Sequence, residues 1–389
     1  MKATRREFIG GTAASLVLPA RERPQAAAPA HRACIIGDSR RGLYGHSMHR
    51  MFELCPEVEV TGLADPVEDG RRKYGGEAGA QRLYADYREM LEKEKPSLVV
   101  IAPRWTLCHR EYLLACAAAG AHGIIEKPIA SDLLEADGMV RAAETRNLKW
   151  GIGFNFRVLP EVLALRKQVM EEGLIGQILE VRGRGKEDQR AGGEDLVVLG
   201  THIFDLMRFF LGSPRWVAAQ IDSEGKPATR ENRREASESV GPVAGDRISA
   251  MFGFDRGITG YFSSVKTADN QGGRWGLDLY GSRGMVTIRQ NGGAHISLFR
   301  SPSWAPDKAA GAWESIPGLS STRFSRPEAE RYLPIIRDVI AKIGSGERPQ
   351  VSLQDGAAAL EMIQGIYAAH LAGARIPFPL TDRRHPLDG

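Results

Sequence analysis

The chain has 389 residues, of which 42% are hydrophobic and 26% charged, so it is too long for one ordinary compact domain and too apolar for a disordered or low-complexity protein. Its net charge is +4, and residues 1–30 alone hold five basic and two acidic side chains, so the remainder is nearly neutral and gives no electrostatic reason to expect nucleic-acid binding. No apolar run reaches the ~18 residues of a membrane-spanning helix, which excludes a polytopic membrane protein.

The first 30 residues have the pattern of an export signal. Arg5 and Arg6 precede Phe8 and a modest apolar stretch, and a tract of small residues follows at 26–30. Paired arginines in this position are typical of the twin-arginine type, which carries proteins across the membrane after they fold. We therefore expect residues 1–30 to be a signal peptide and the protein to be periplasmic.

After residue 30, short apolar strands alternate with helices. Strands are predicted at residues 32–37, 58–65, 97–102, 123–125 and 148–152, with helices at 48–54, 84–94, 111–119 and 133–145. This alternation predicts a parallel sheet covered by helices, in a first domain of residues 31–152. Cys34 and Cys116 fall in an apolar strand and an alanine-rich helix, so we expect buried free thiols there rather than disulfides.

The pattern changes after residue 152. A helix is predicted at 160–172, strands follow at 177–182, 216–221, 247–254, 258–264, 277–280, 285–289 and 296–299, and helices at 331–343 and 353–371 close the chain. Period-two alternation and glycine turns predict a large, open, mostly antiparallel sheet in a second α/β domain, residues 153–389. The polar stretch 223–245 is predicted to be a surface loop.

The turn after the first strand is a candidate cofactor site. Dinucleotide-binding folds place glycines where the backbone approaches a pyrophosphate, beside the amides of a helix N-terminus. Gly37 and Gly42 occupy the first and last of the three usual glycine positions, and Ser39 stands at the second. Asp38 and Arg40 complete the turn, so all five residues are candidates for contact with the cofactor.

Asp65 ends the second strand, where a carboxylate binds the hydroxyls of an adenosine ribose. A carboxylate at this position repels a 2′-phosphate, which favours NAD as the cofactor. Arg40 or Arg41 could offset that repulsion, so NADP stays open.

A longer series of motifs begins with Ile125-Glu126-Lys127-Pro128, directly after a strand. The other motifs are Ala102-Pro103 with His109, Gly200-Thr201-His202-Ile203-Phe204-Asp205, residues 279–284, residues 348–352 and residues 377–380. In their order and spacing over roughly residues 33–380, these motifs resemble the glucose-fructose oxidoreductase, inositol dehydrogenase and rhizopine catabolism (Gfo/Idh/MocA) family. The resemblance implies an NAD(P)-dependent oxidoreductase with a Rossmann domain, a carbohydrate substrate and an open sheet that pairs in a homodimer or homotetramer.

The resemblance also implies roles for single residues. Lys127 would lie near both the nicotinamide ribose and the substrate hydroxyl, where a lowered pKa suits a proton shuttle. His202 would exchange a proton with the reacting hydroxyl, and Asp205, on the same helical face, would bind substrate or orient His202. Pro103, His109 and Glu126 would contact the cofactor.

One position departs from the family pattern. The sugar dehydrogenases of the family usually carry an aspartate four residues before the histidine, and here that residue is Val198. Glu194 and Asp195, just upstream, could supply the missing acid or base.

Polar side chains elsewhere in the second domain are candidates for substrate contacts. Gln189 and Arg190 lie in a polar loop, and Arg157 stands where the family directs polar groups to the cleft.

The sequence leaves three functions open. No histidine or cysteine spacing indicates a metal site, and no nucleophile elbow indicates a serine hydrolase. An exported dehydrogenase has no cytosolic cofactor pool, so we expect a sugar or glycoside oxidoreductase with a tightly held, internally recycled nicotinamide cofactor. The alternatives are a redox-neutral, NAD-dependent glycosidase that acts through a transient keto-sugar, with Glu194, Asp195 and His202 as candidates for its acid and base, and a non-catalytic binding protein.

Overall fold

The computed structural model describes residues 30–388, except 268, 270–271, 291–292, 307–310, 320 and 323. The predicted signal peptide, apart from Ala30, therefore lies outside the described residues. Within the part that is described, no helix is long and apolar enough to cross a membrane.

The first part of the chain forms a six-stranded sheet. Its strands are β1 (His31–Ile36), β2 (Val58–Ala64), β3 (Arg82–Tyr84), β4 (Leu98–Ile101), β5 (His122–Ile125) and β6 (Trp150–Ile152). The connections carry a 3-10 helix (Met48–Leu54), α1 (Glu68–Ala78), α2 (Tyr87–Glu94), α3 (His109–Ala118) and α4 (Leu133–Glu144). All pairs are parallel in the order β3-β2-β1-β4-β5-β6, which reverses between β1 and β4, as in doubly wound sheets that bind dinucleotides. The predicted Rossmann fold is confirmed.

Two details of this sheet differ from the prediction. The helix predicted at residues 84–94 begins later, because Tyr84 belongs to β3 and the Asp86 side chain caps α2 by accepting a backbone hydrogen bond of 2.8 Å. Helix α1 was not predicted because its glycines have low helix propensity. Two of them, Gly70 and Gly75, lie so close to neighbouring side chains that an added Cβ would collide.

The second part of the chain forms a ten-stranded sheet. Its strands, with the separate β10–β11 pair, are β7 (Ile178–Arg184), β8 (Trp216–Ser223), β9 (Lys226–Pro227), β10 (Arg234–Glu235), β11 (Pro242–Val243), β12 (Arg247–Gly253), β13 (Thr259–Val265), β14 (Gly276–Gly281), β15 (Gly284–Gln290), β16 (Ala294–Phe299), β17 (Glu314–Ser315) and β18 (Ile376–Pro377). The order is β17-β16-β15-β14-β7-β13-β12-β8-β18, with β9 beside β8. The β7–β13 pair is parallel and the others are antiparallel, which confirms the large, mostly antiparallel sheet.

Helices complete the second part and connect it to the first. They are α5 (Pro160–Met170), α6 (Gly193–Val198), α7 (Gly200–Leu211), α8 (Pro327–Glu330), α9 (Leu333–Lys342) and α10 (Leu353–Ala372). Helix α10 begins with a capping box between Ser352 and Asp355 and packs on α4, α7 and β8, while α9 packs on β5 and β6. These contacts fix the second part of the chain against the carboxyl ends of β5 and β6.

The stretch 223–245, predicted as a surface loop, is partly an ordered and buried element. It contains β9, the 3-10 helix Arg230–Asn232 and the β10–β11 ribbon, and it buries Ala236, Val240 and Val243. Few large apolar residues mark it because its anchors are small side chains and polar contacts, which composition alone does not reveal.

The thiols confirm the cysteine prediction. All four cysteines of the chain are buried and free. Burial raises the pKa of Cys34 to about 12, so its thiol is inert at neutral pH.

Candidate active site

A cavity of about 1000 Å³ lies at the carboxyl ends of β4, β5 and β6. The loops that follow these strands contribute Arg104, Lys127 and Gly153 to its wall. The other wall residues are His46, Asn155, Phe156, Leu159, Lys186, Arg190, Val198, Leu199, His202, Glu238, Trp275, Gly293, His295, Ser321, Thr322, Phe324, Pro327, Arg331 and Tyr332. A doubly wound sheet binds its ligands at this edge, so the cavity is the candidate active site.

Lys127 is a buried lysine on the cavity wall, with 3% of its surface exposed. Its Nζ donates a hydrogen bond of 3.0 Å to the backbone carbonyl of Val198. Burial lowers the pKa of Lys127, although the nearby Glu126 carboxylate acts in the opposite direction. The structure therefore gives this lysine the position and the lowered pKa that a proton shuttle requires.

Val198 contributes its backbone carbonyl to the site. The family's usual aspartate would place a carboxylate at this position, whereas here the carbonyl oxygen accepts the hydrogen bond from Lys127. A neutral acceptor orients the ammonium but does not raise its pKa as a carboxylate would. The departure at Val198 thus keeps Lys127 in place and favours its neutral form.

Glu126 lies behind the wall and holds the loop that carries Lys127. Its Oε2 accepts a hydrogen bond of 2.6 Å from the Lys127 amide, and its Oε1 lies 3.0 Å from Nδ1 of His46. Burial acts to raise the pKa of Glu126, but His46 and the charge of Lys127 outweigh it and lower the pKa. A Cβ at Gly45 or Gly153 would lie within 2.9 Å of this side chain, which explains both glycines. Glu126 does not line the cavity, so the structure gives it a positioning role where cofactor contact was predicted.

His202, in the first turn of α7, lines the same cavity as Lys127. Its ring packs edge-to-face on Phe156 and Trp275, with centroids 4.8 and 5.8 Å away. Its Nδ1 is buried and has no hydrogen-bond partner among the described residues. Burial, and then the charge of Lys127, lowers the pKa of His202 well below 6.5, so the ring is neutral at pH 7. His202 thus brings a neutral imidazole to the cavity wall, while its Nδ1 is a buried polar atom without a partner among the described residues.

Glu194 and Asp195, predicted as an acid and a base, do not line the cavity. Glu194 Oε1 accepts from the hydroxyl of Ser237 at 2.5 Å and from the amide of Glu238 at 3.1 Å. The Asp195 carboxylate accepts from the amides of Lys186 and Glu187 at 3.1 and 3.0 Å. Both carboxylates are buried in these bonds, so they position the segments that carry Lys186 and Glu238 and have no access to a ligand.

Arg157 and Asp205, predicted to bind substrate, form a buried ion pair away from the cavity. The Arg157 guanidinium pairs with both oxygens of Asp205 and donates to the carbonyl of Gln350 at 2.8 Å. It also lies 3.3 Å from Asp355 in α10. Arg157 therefore joins the segment after β6 to α7 and α10, and a substrate contact of Arg157 or Asp205 stays a prediction.

The loop that follows β7 has residues on the protein surface and residues on the cavity wall. Gln189 is exposed and does not line the cavity, and its predicted substrate contact stays a prediction. Arg190 does line it, and its guanidinium pairs with Asp188 and with Glu238.

Glu238 was missed by sequence reasoning because it lies in the stretch that was interpreted as a surface loop. It pairs with Arg104 at 3.2 Å as well as with Arg190. Its position could have been suspected only from the excess of charge in that stretch.

Pro103 and His109 are buried and shape the loop after β4. The ring nitrogens of His109 lie 2.7 Å from the Pro103 carbonyl and 3.0 Å from the Ile129 carbonyl. Neither residue lines the cavity, and their predicted contact with the cofactor stays a prediction.

The glycine turn packs against protein. An added Cβ at Gly37 would lie 2.1 Å from the Tyr44 ring, and one at Gly42, where φ is +75°, would lie 2.5 Å from the Trp105 amide. The Asp38 carboxylate accepts from the Arg40 amide at 3.0 Å and closes the turn.

Asp65 is bonded internally as well. Its Oδ2 accepts from the hydroxyls of Ser39 and Tyr44 at 2.7 and 2.8 Å, and its Oδ1 accepts from the amide of Val67 at 2.8 Å. The carboxylate is fully buried, so in this structure it offers no free oxygen to a ribose. We call Ser39, Tyr44 and Asp65 the hydroxyl–carboxylate cluster.

No metal centre is visible in the parts of the chain that the structure describes. No group of three or more His, Cys, Asp and Glu side chains there could hold a metal ion.

Comparison with protein families gives two matches that together span most of the chain. Residues 32–154 match the model described as an oxidoreductase family with an NAD-binding Rossmann fold. Residues 167–378 match the C-terminal α/β domain of the same oxidoreductase family. The predictions of an NAD-binding Rossmann domain and of NAD as cofactor are confirmed.

Two similar proteins are dehydrogenases named for sugar substrates. Levoglucosan dehydrogenase of Pseudarthrobacter phenanthrenivorans is 27% identical over 60% of this chain, and the match spans 65% of that protein. D-Apiose dehydrogenase of Paraburkholderia graminis is 25% identical over 85% of each protein. The structure of a levoglucosan dehydrogenase in complex with NADH and levoglucosan superimposes with a TM-score of 0.71, covering 90% of this chain and 99% of that one at 20% identity, a likeness that shows the fold.

The residues present fit the two ends of NAD to different degrees. Lys127 and the neutral imidazole of His202, both on the cavity wall, suit the nicotinamide end, where a hydroxyl must exchange a proton. At the adenosine end, Asp65 already accepts two hydroxyl hydrogen bonds, the same kind of bond that a ribose would donate. Ribose binding therefore requires Tyr44 and Ser39 to exchange places with the cofactor hydroxyls.

This exchange predicts an effect of Tyr44→Phe on cofactor affinity. The substitution removes one of the hydrogen bonds that keep Asp65 engaged, so we expect NADH to bind about 3- to 10-fold more tightly, the net value of one ordinary hydrogen bond. NADH fluorescence titration measures the change. Tyr87→Phe is the matched control, because Tyr87 also donates to a carboxylate, that of Glu111 at 2.8 Å, away from the glycine turn. Weaker binding in Tyr44→Phe would show instead that the hydroxyl contacts the cofactor.

Proposed function

This chain belongs to the Gfo/Idh/MocA oxidoreductase family, and from that premise we propose that it oxidises a hydroxyl group of a carbohydrate with NAD as hydride acceptor. The observation that carries the proposal is the presence of Lys127 and His202 on one cavity wall, each with a lowered pKa. Its relatives with sugar and polyol substrates support the substrate class.

The proposed reaction divides a carbinol into a hydride and a proton. NAD, when bound, supplies the hydride acceptor. The hydroxyl proton passes to Nζ of Lys127 in its neutral form, which burial favours. The carbonyl of Val198 holds that nitrogen in place, and neutral His202 forms a hydrogen bond with the same hydroxyl.

The pH dependence of oxidation follows from Lys127. Its pKa lies below 10.5, so the neutral amine that accepts the proton increases as pH rises through that lowered pKa. We expect kcat/KM for oxidation to rise with pH and to reach a plateau. The pKa of His202 is well below 6.5, so its titration is not expected to change kcat/KM near pH 6.5. A profile that falls as pH rises above 7 would contradict this assignment.

The structure counts against the glycosidase alternative. That reaction needs an acid and a base beside the sugar ring. Of its three candidates, Glu194 and Asp195 are buried in bonds to backbone and hydroxyl groups outside the cavity, which leaves His202 alone on the wall. The one carboxylate on the described wall, Glu238, is paired with two arginines. Net oxidation is therefore the better supported reaction.

A substrate panel tests the proposed function. Purified protein is incubated with NAD and a set of neutral sugars, sugar acids, sugar phosphates and glycosides, and NADH absorbance is followed. NADH formation with at least one carbohydrate supports the proposal. Binding of NAD and sugar with no turnover would instead support the non-catalytic alternative.

Export and cofactor retention are parts of the same proposal. We propose that the Arg5-Arg6 segment exports the folded protein to the periplasm with NAD already bound and recycled in place by a second, carbonyl substrate. Cell fractionation and the nucleotide released on denaturing the exported protein test this: protein in the cytoplasm, or exported without nucleotide, would contradict it.

The oligomeric state also stays a prediction. A homodimer or homotetramer through the open sheet is supported by the exposed Leu179 and Tyr261 on β7 and β13. Sedimentation velocity measures the oligomeric state directly.

A further inference from the structure

The cavity wall is strongly cationic, although the chain as a whole is not. Five lining side chains are lysines or arginines, and one, Glu238, is acidic; the cations are Arg104, Lys127, Lys186, Arg190 and Arg331. The whole chain carries a net charge of only +4. A concave wall of one sign raises the local concentration of ligands of the opposite sign.

Pairing inside the protein neutralises this charge only in part. Lys186 and Arg190 share Asp188, and Arg190 and Arg104 share Glu238, so these three cations have two carboxylates between them. The segments that carry them are fixed by the buried Glu194 and Asp195. Among the described residues, one positive charge of this group is therefore left without an acidic counterpart.

Arg331 adds a second unbalanced charge. It follows α8, is partly buried and lines the cavity beside Tyr332. No acidic partner of its guanidinium is found among the described side chains. Lys127 differs from it, since Lys127 donates to the Val198 carbonyl and has Glu126 behind it.

We propose that the carbohydrate bound in this cavity carries an acidic group, a carboxylate or a phosphate, which pairs with Arg331. The proposal rests on the proposed function only in that the cavity holds the substrate. Arginine suits this task because its planar fork binds two oxygens of one oxyanion at once. A neutral sugar would leave the unbalanced positive charges of the wall without a counterion when it displaces water.

The pyrophosphate of NAD is a weaker explanation of this charge. The glycine turn at residues 37–42, where a Rossmann fold receives the pyrophosphate, does not line the cavity. Lys186, Arg190 and Arg331 come from the second part of the chain, outside the family match for the NAD-binding domain. The test nevertheless measures cofactor affinity, so that the two roles are separated.

Binding of small anions tests the proposal without requiring turnover. NAD-saturated protein is titrated with inorganic phosphate and with acetate at constant ionic strength, by calorimetry or ligand-observed NMR. The variants are Arg331→Gln and Arg326→Gln, a matched control that is exposed, lies five residues upstream and does not line the cavity. We expect saturable binding of at least one anion, weakened roughly 10- to 100-fold in Arg331→Gln and unchanged in Arg326→Gln.

Sugars then identify the acidic group. Glucuronate and glucose 6-phosphate are compared with glucose: tighter binding of the first indicates a carboxylate, and of the second a phosphate. Equal or tighter binding of glucose, anion binding that Arg331→Gln leaves unchanged, or a loss in Arg331→Gln confined to NAD affinity would each overturn the proposal. None of these results depends on NADH formation, so the oxidoreductase function can stand if the acidic substrate class fails.

Discussion

Lys127→Met is expected to abolish turnover while leaving the protein folded and able to bind NAD. The side chain is replaced by an apolar one of similar length in a buried position, so packing is largely kept. Proton transfer by a positioned group is worth about 10²- to 10⁴-fold in rate, and we expect kcat to fall by that factor. The measurement is steady-state kinetics, with NADH affinity from fluorescence on the same sample.

A second buried lysine provides the control for Lys127. Lys149 is 5% exposed and donates to the side chain of Asn147 at 2.7 Å, outside the cavity wall. Lys149→Met is therefore expected to keep wild-type kcat. Partial recovery of Lys127→Ala by an added primary amine would identify the missing group as the amine. Near-normal kcat in Lys127→Met would remove the lysine from the mechanism.

Arg157→Met is expected to destabilise the protein by about 3–5 kcal/mol, because removing one partner of a buried ion pair leaves the other charge buried and unpaired. The substitution leaves the fully buried Asp205 without its main cation. Burial already raises the pKa of Asp205 to about 6, against the attraction of Arg157. Denaturant unfolding of the variant and the wild type measures the difference in free energy.

The pH dependence of that loss gives a further check. Without Arg157, the pKa of Asp205 rises further in the folded protein. In the unfolded chain the pKa of Asp205 is that of an ordinary aspartate, so between the two pKa values the folded variant binds a proton that the unfolded one does not. Its stability therefore falls as pH rises, and the deficit is expected to be larger at about pH 8 than at about pH 5.

An exposed pair on the second sheet is the control for Arg157. Arg215 and Asp255 form an ion pair with side chains 69% and 59% exposed. Arg215→Met is expected to cost less than about 1 kcal/mol, because water screens such pairs. An equal effect of the two substitutions would show that the Arg157 pair is not a special element of the fold.

The sequence was informative where a residue's role is local. Strand and helix alternation predicted the parallel sheet, since the apolar period reflects burial directly. The structure brings Lys127 and His202 to one cavity wall, Lys127 from the segment that follows β5 and His202 from the first turn of α7. Their chemical roles stay predictions.

Roles that depend on distant partners were not predictable. Asp65 was predicted to bind a ribose, and in the structure its carboxylate accepts hydrogen bonds from the hydroxyls of Tyr44 and Ser39. Nothing in the local sequence pattern indicates the bond from Tyr44. Glu194 and Asp195 were assigned to chemistry because carboxylates near a catalytic histidine suggest it. Their actual partners lie in loops whose paths the sequence does not specify.

The cationic wall was missed for a related reason. Arg104, Lys186 and Arg331 are far apart in the chain, and their charges are balanced by acidic residues elsewhere in the composition. The net charge of the chain therefore did not reveal the cluster of cations on the cavity wall, which forms only when the chain folds. Glu238 was missed because the polar stretch that carries it lacks the apolar period of a buried element.

The most direct test of the central claim is the mass of the product. Protein, NAD and each carbohydrate of the panel are incubated together, and the products are identified by mass spectrometry alongside the NADH formed. The account predicts a product lighter by two hydrogen atoms, matched by one NADH or by one molecule of reduced carbonyl co-substrate, and far less of both in Lys127→Met. A glycoside split into its two halves by addition of water, with no NADH accumulating, would contradict it and identify the protein as a redox-neutral glycosidase.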